Sequence, residues 1–298
     1  MPIGSRHIGP GGIDVSKIAG GGLNADPWST TYYVQSTHTR AADSGNHGKD
    51  KFHPLKTLRQ ALTLVSVGDR IVIGPTHAET ISTNLAVNVV GLKIIGLGSG
   101  SQRPKFTIDT GTGITIAVSA AGCLLENLHF APGIDAVVAL VTLTANDQEI
   151  VDCLITHDAT FQAVDGIAVG TSANVRIIGL RAQQVAAGAT SCISFSTGAD
   201  FECHGCHLDG DYSAGCIDNT GVATRMLIAG NWLNSLNAAD VCIALAATSD
   251  GRIADNRCRI ATDVQVTWIT VVNDCDLYEN YGVNLDAETG KLIGTVSV

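Results

Sequence analysis

The sequence predicts an all-β chain wound as a single-stranded parallel β-helix. Three observations carry this. The chain repeats itself about every 25 residues, each repeat holds two β-branched columns, and charge is scarce while glycine is plentiful. Of 298 residues, 45% are hydrophobic and only 15% charged, with 33 glycines and seven prolines. Such a composition suits strands and tight turns better than helices.

The first column comes from eight related segments, beginning at GLKIIGLGSG (91–100) and GCLLENLHF (122–130) and ending at CDLYENYGV (275–283). The last seven align on Asn127, Cys153, Leu180, Cys206, Asn231, Asn256 and Asn280. Three positions earlier stand Leu124, Ile150, Ile177, Cys203, Ile228, Ile253 and Leu277, all apolar. One position before the anchor stand Glu126, Asp152, Gly179, Gly205, Gly230, Asp255 and Glu279, which suit corners. The second column is Ile116, Val141, Ile167, Ile193, Ile217, Ile243 and Ile269. A unit of this length cannot hold a βαβ crossover or a propeller blade. It fits one coil of a solenoid whose like positions stack at the strand spacing.

A solenoid needs covered ends. Leu55, Leu58, Leu62 and Val65 recur at helical spacing after Pro54, which predicts a short capping helix within 54–66. The domain reading is an extended N-terminal arm (1–30), lead-in strands and capping helix (31–90), the β-helix (91–281) and a C-terminal β cap (282–298). The cap reads as a hairpin turning near Glu288-Thr289-Gly290.

The stretch Cys203-His204-Gly205-Cys206-His207 has the form of a c-type haem attachment motif. The repeat gives another account. Cys203 fills the inward aliphatic column and Cys206 the anchor column. Strand alternation also opposes convergence of all four side chains on one zinc ion. No cofactor and no metal is therefore expected. Nine cysteines in a chain of this length fit buried reduced thiols.

A net charge of −10 without a basic run argues against nucleic acid as a partner. No segment approaches a membrane span, so no membrane partner is expected. The N-terminus has no apolar run of signal-peptide type, which predicts cytoplasmic synthesis.

Residues 32–80 carry a strand, a loop with Asp43, Gly45 and Gly48, then Pro54-Leu55-Lys56-Thr57-Leu58, Gly68-Asp69 and Ile71-Val72-Ile73-Gly74-Pro75. This block resembles the opening of pectin-lyase-like right-handed parallel β-helix proteins, and among them β-helical proteins of bacteriophage particles. The likeness covers about residues 32–281. It implies a right-handed coil and, for virion members, a homotrimer. It also implies two functions: a non-enzymatic capsid decoration or cement protein tied to capsid or tail proteins by residues 1–30, or a tail-associated spike or fibre that binds or cleaves surface glycan. The first is the leading expectation, with the virion as location.

For catalysis the residues offer little. Two carboxylate pairs stand on adjacent turns, Glu126 with Asp152 and Asp255 with Glu279, as glycosidase chemistry would need. Both sit where acids also serve corners. Arg176, Arg181, Arg252, Arg257 and Arg259 form no acid-ringed set of the lyase kind. If Ile193, Ile217 and Ile243 point inward, their predecessors should point outward. That reasoning gives an apolar outer stripe of Leu140, Cys192, Cys216, Cys242 and Trp268, expected to be the interface of the trimer.

Overall fold

The computed structural model describes residues 29–184, 187–236, 241–245, 249–260, 269–270, 275–284 and 290–293. Most of the arm (1–28) lies outside the described residues, as do Trp268 and the turn of the C-terminal hairpin (285–289). The described chain folds into three long sheets. Sheet I has ten strands, from Thr31–Val34 and Arg70–Ile73 to Cys275–Tyr278. Sheet II runs from Ala78–Ile81 to Asn280–Asn284, and sheet III from Leu85–Val87 to Ile269–Thr270. Each coil visits I, II and III in turn, and eight coils are complete among the described residues. Every pairing within the stack is parallel, and parallel crossovers wind right-handed. The stack begins earlier than expected. Arg70–Ile73 already opens a complete coil, and Thr31–Val34 pairs onto it.

Hydrogen-bonded register fixes the columns. Ile94, Leu125, Ile150, Ile177, Cys203, Ile228, Ile253 and Leu277 stack on the inner side of sheet I, all buried. Ile116, Val141, Ile167, Ile193, Ile217, Ile243 and Ile269 stack inside sheet III, as read from the sequence. The first coil of the sheet I column needs a shift of one residue. Leu125 pairs with Ile150, so Leu128 takes the anchor and Asn127 the corner. The backbone shows why. Asn127, Asp152, Gly179, Gly205, Gly230, Asp255 and Glu279 all have φ between 49° and 66°. This left-handed corner suits Gly, Asn and Asp, and it defines the register.

The ends are closed by specific contacts. The helix is shorter than expected, Leu58–Leu62, with Thr57 as its N-cap. Asp43 accepts hydrogen bonds from the Lys56 and Thr57 amides and the Thr57 hydroxyl at 2.8–3.0 Å. Glu79 accepts the Leu58 amide at 2.7 Å and contacts buried His77 at 3.1 Å. At the other end, Asn280–Asn284 pairs antiparallel with Gly290–Ile293, which ends the parallel stack.

The anchor column changes character along the coil. Leu128, Cys153, Leu180 and Cys206 give way to buried Asn231, Asn256 and Asn280. These three amides form a ladder. Asn231 Nδ2 donates to Asn256 Oδ1 at 2.9 Å, and Asn256 Nδ2 donates to Asn280 Oδ1 at 2.9 Å. Each Nδ2 also donates to a sheet I carbonyl: Cys203, Ile228 or Ile253. The amides of Cys206, Asn231 and Asn256 donate to the Oδ1 of the next rung. Burial of so many polar atoms is tolerable because each is bonded. Asn256→Ala should leave donors and acceptors stranded on both sides and lower stability by about 3 kcal/mol, read from denaturant unfolding.

His157 is the opposite case. It is 6% exposed, and neither ring nitrogen has a hydrogen-bond partner. Burial pushes its pKa down to about 4 from the ordinary 6.5, partly offset by Asp158. The unfolded chain therefore takes up this proton first. The native state keeps its full stability above pH 6.5 and loses it as pH falls toward 4. The shift corresponds to roughly 3 kcal/mol. His157→Leu should flatten the stability-pH curve across this window, measured by urea unfolding at a series of pH values.

Candidate functional site

The sequence-derived acids lie at the corner between sheets I and II. Asp152, Asp255 and Glu279 occupy the left-handed position itself, and all three are exposed. Asp255 and Glu279 stand on adjacent rungs, since Ala254 pairs with Tyr278 just before them. Glu279 bonds the Tyr278 hydroxyl, and Arg252 lies 5.2 Å from that ring. Glu126 does not stack with Asp152. It pairs with Val151, one position before the corner. That geometry separates the first pair and leaves the second on one edge.

The apolar interface stripe is not on the surface. Leu140, Cys192, Cys216 and Cys242 are 0%, 1%, 0% and 0% exposed. Simple alternation fails here because the strand bends. Three consecutive residues, Ala139, Leu140 and Val141, are buried. At the same place in the next coil stands Gly166, where a Cβ would meet the Cys192 carbonyl at 2.6 Å and Ile155 Cδ1 at 2.9 Å. Ile155 belongs to the inner side of sheet II, so this position faces the core. Cys216 and Cys242 likewise reach the Leu208 and Leu233 carbonyls at 3.9 and 3.6 Å. The thiols are core filling, and all nine are buried and outside any disulfide. Cys203 and Cys206 face inward with sulfurs 3.7 Å apart, while His207 is exposed on the outside. The Cys203 thiol is held well above its usual range by Cys206 and by burial, which suppresses thiolate chemistry.

The outer side of sheet III is instead made of small residues: Ala117, Thr142, Ala168, Ser194, Asp218 and Ala244. Two carboxyls lie here that the sequence did not single out. Asp165 accepts the Ser191 and Ser194 hydroxyls at 2.7 and 2.9 Å. Asp218 stacks beside Ser194 on the next rung. Burial raises the pKa of both, and the Asp165 charge raises Asp218 further. Neighbouring carboxyls can divide acid and base roles, but among the described residues the central column of this face has no aromatic side chain.

The outer side of sheet II carries exposed aromatic side chains and a cleft. Register stacks Lys105, His129, Leu154, Arg181, His207, Trp232, Arg257 and Tyr281 on consecutive rungs. Trp232 remains 45% exposed and Tyr281 39% exposed. His207 lies 5.6 Å from the Trp232 ring and Arg257 5.4 Å, a cation–π contact. Trp232, Arg257, Cys258, Arg259 and Tyr281 line a cleft of about 280 Å³. Two residues along, Asn234 donates to Asp209 at 2.8 Å, and Arg259 follows Asn234 in register. The acid corner at Asp255 and Glu279 borders this face, two residues before Arg257 and Tyr281. Such a surface offers rings for apolar sugar faces and guanidinium donors for oxygen ligands. Sequence reading missed it, although each member directly follows an anchor residue. Reading that next position as its own column would have found it.

No family model matches the sequence, and no curated protein matches it. Among solved structures the chain is similar to a rhamnogalacturonan lyase, with 12% identity, a TM-score of 0.48, and 85% of this chain and 87% of that chain covered. It is also similar to a GH136 lacto-N-biosidase from Eubacterium ramulus, with 11% identity, a TM-score of 0.45, and 84% and 66% covered. Likenesses at this level say nothing about activity.

Leu140→Glu should force a charge into the core corner and cost about 4 kcal/mol or more. Thr142→Glu, on the outer side, should change stability by no more than about 0.5 kcal/mol. Thermal unfolding of the two variants checks the reassigned orientation. The three-sheet coil itself establishes the all-β parallel β-helix that the sequence predicts.

Proposed function

We propose that this protein is a glycan-binding β-helix of a bacteriophage particle, acting as a tail-associated spike or fibre. The observation that carries the reading is the exposed Trp232–Arg257–Tyr281 stack with its cleft on sheet II. Exposed aromatics on a rigid sheet lose little entropy on binding and cover apolar sugar faces. The phage setting rests on the resemblance of residues 32–80, and residues 1–30 are its proposed tie to the particle. The capsid-decoration reading, the leading expectation from the sequence, is the second reading; the trimer interface expected on the Leu140–Cys192–Cys216–Cys242 stripe is not at that place, since those side chains are interior. Binding is the activity proposed, and no cleavage is assigned: Asp165 and Asp218 are on sheet III, and Asp255 and Glu279, which border the cleft face, stand at left-handed corner positions that the turn itself explains.

Trp232→Ala and Tyr281→Ala should each weaken binding to immobilised cell-surface polysaccharide about tenfold or more, with unfolding unchanged. A glycan array followed by calorimetry on the best ligand measures this. Absence of any glycan binding by the wild-type chain would reject the reading.

A further inference from the structure

We infer that the outer face of sheet I is a self-complementary surface on which two copies of this chain pack with their coil axes antiparallel. The inference is independent of the glycan-binding reading and leaves the sheet II clefts of both copies open. Two columns point outward on sheet I. The first runs Lys93, Leu124, Glu149, Arg176, Glu202, Leu227, Arg252 and Asp276. The second, two residues further along each strand, runs Ile95, Glu126, Val151, Ile178, His204, Ala229, Ala254 and Tyr278. A solvated face carries polar side chains, yet Ile95, Val151 and Ile178 stand here partly exposed, beside partly exposed Leu124 and Leu227. Apolar side chains gathered on one outer face, with charges among them, mark a contact surface.

The order of charges selects a second copy as occupant and sets its direction. A two-fold axis along the strands, between the rungs of Arg176 and Glu202, lays each column on its own copy with the rungs reversed. Arg176 then meets Glu202 of the second copy, and Lys93 meets Asp276. Ile95 lies on Tyr278, Val151 on Ala229 and Ile178 on His204. Glu149 lies on Leu227 and Leu124 on Arg252, which comes diagonally beside Glu126, the one acid of the second column. Arg176 already bridges Glu149 at 2.7 Å and Glu202 at 3.3 Å. Among the described residues, Lys93, Glu126, Arg252 and Asp276 form no ion pair in their own chain, although Asp276 stands one rung from Arg252, which lies 5.2 Å from the Tyr278 ring. Reversal brings each of these four charges an opposite one. Neighbouring alignments fail. An axis through the Arg176 rung sets Glu149 against Glu202, and one through the Glu202 rung sets that acid against itself. An axis along the coils lays the charged column on the apolar one and buries its charges unpaired. The face is about 34 Å long at the parallel strand spacing and roughly 10 Å wide. That is less than the roughly 800 Å² per partner of a standard interface, so the expected dimer is reversible.

The test is sedimentation equilibrium of the full-length protein over a concentration series at low and high salt. The expected result is a monomer–dimer equilibrium with a Kd on the order of micromolar, weakening with salt. Ile178→Asp should weaken the dimer about tenfold or more. Lys93→Glu and Asp276→Lys should each weaken it about tenfold, because each sets like charges together at two symmetric places. The double variant Lys93→Glu, Asp276→Lys should recover most of that loss. Within one chain these residues stand about 34 Å apart along the stack, so recovery arises only between copies. Circular dichroism shows whether each variant is folded. A chain still monomeric about a hundredfold above the micromolar range would overturn the inference. A trimer would overturn it as well, since a two-fold contact closes at two copies. So would a dimer untouched by Ile178→Asp, which places the contact on another face, or charge reversals without recovery in the double variant, which excludes the antiparallel direction.

Discussion

In-register stacking of parallel strands is the constraint from which the other features follow. Each coil is too short to bury its own hydrophobic side chains. It becomes stable only by laying its strands against those of the coils above and below, which satisfies the backbone and seals the inner columns at once. The register is therefore repeated rather than chosen afresh. A residue type placed once at an inner position must be matched by a comparable residue in each neighbouring coil. That requirement holds Ile94 to Leu277 in one aliphatic file and Ile116 to Ile269 in another.

Where the chain must turn, the same rule produces files of special backbone. The left-handed corners between sheets I and II select glycine, asparagine and aspartate, and admit Glu279. This is why acids gather there in pairs without any need for catalysis. Just inside that corner the anchor file switches from aliphatic and thiol side chains to asparagine. The switch works because each amide nitrogen donates to a carbonyl of the previous coil while its oxygen accepts from that coil's anchor residue. A lone buried Asn would leave these groups unpaired, while a run of three shares them.

Repetition also arranges the exterior. Side chains that the core does not need are free to vary, yet they too stack at fixed spacing. Sheet I carries the Glu149–Arg176–Glu202 charge ladder, sheet III carries small residues, and sheet II collects rings and cations. A stiff scaffold presenting such groups at regular intervals suits recognition of a polymer. Residues far apart in sequence, such as Lys105, Arg181 and Arg257, fall into line because each stands at the same point of its coil.

The sequence by itself determined the coil length, both inner columns, the presence of a capping helix and the inward place of Cys203 and Cys206. Periodicity is a property of residue types, and burial selects those types wherever alternation is regular. Tertiary structure decided what periodicity cannot show. The bend at Leu140, Gly166 and Cys192 turns two successive side chains inward, so the stripe read as outer surface is core. The left-handed φ of Asn127 moved the first coil by one residue and parted Glu126 from Asp152. The approach of Asp165 to Ser194 across a rung depends on a three-residue offset that no column in the sequence displays. Backbone direction at corners, and side-chain reach between coils, are set by packing of the whole stack. A linear pattern records only which residues recur.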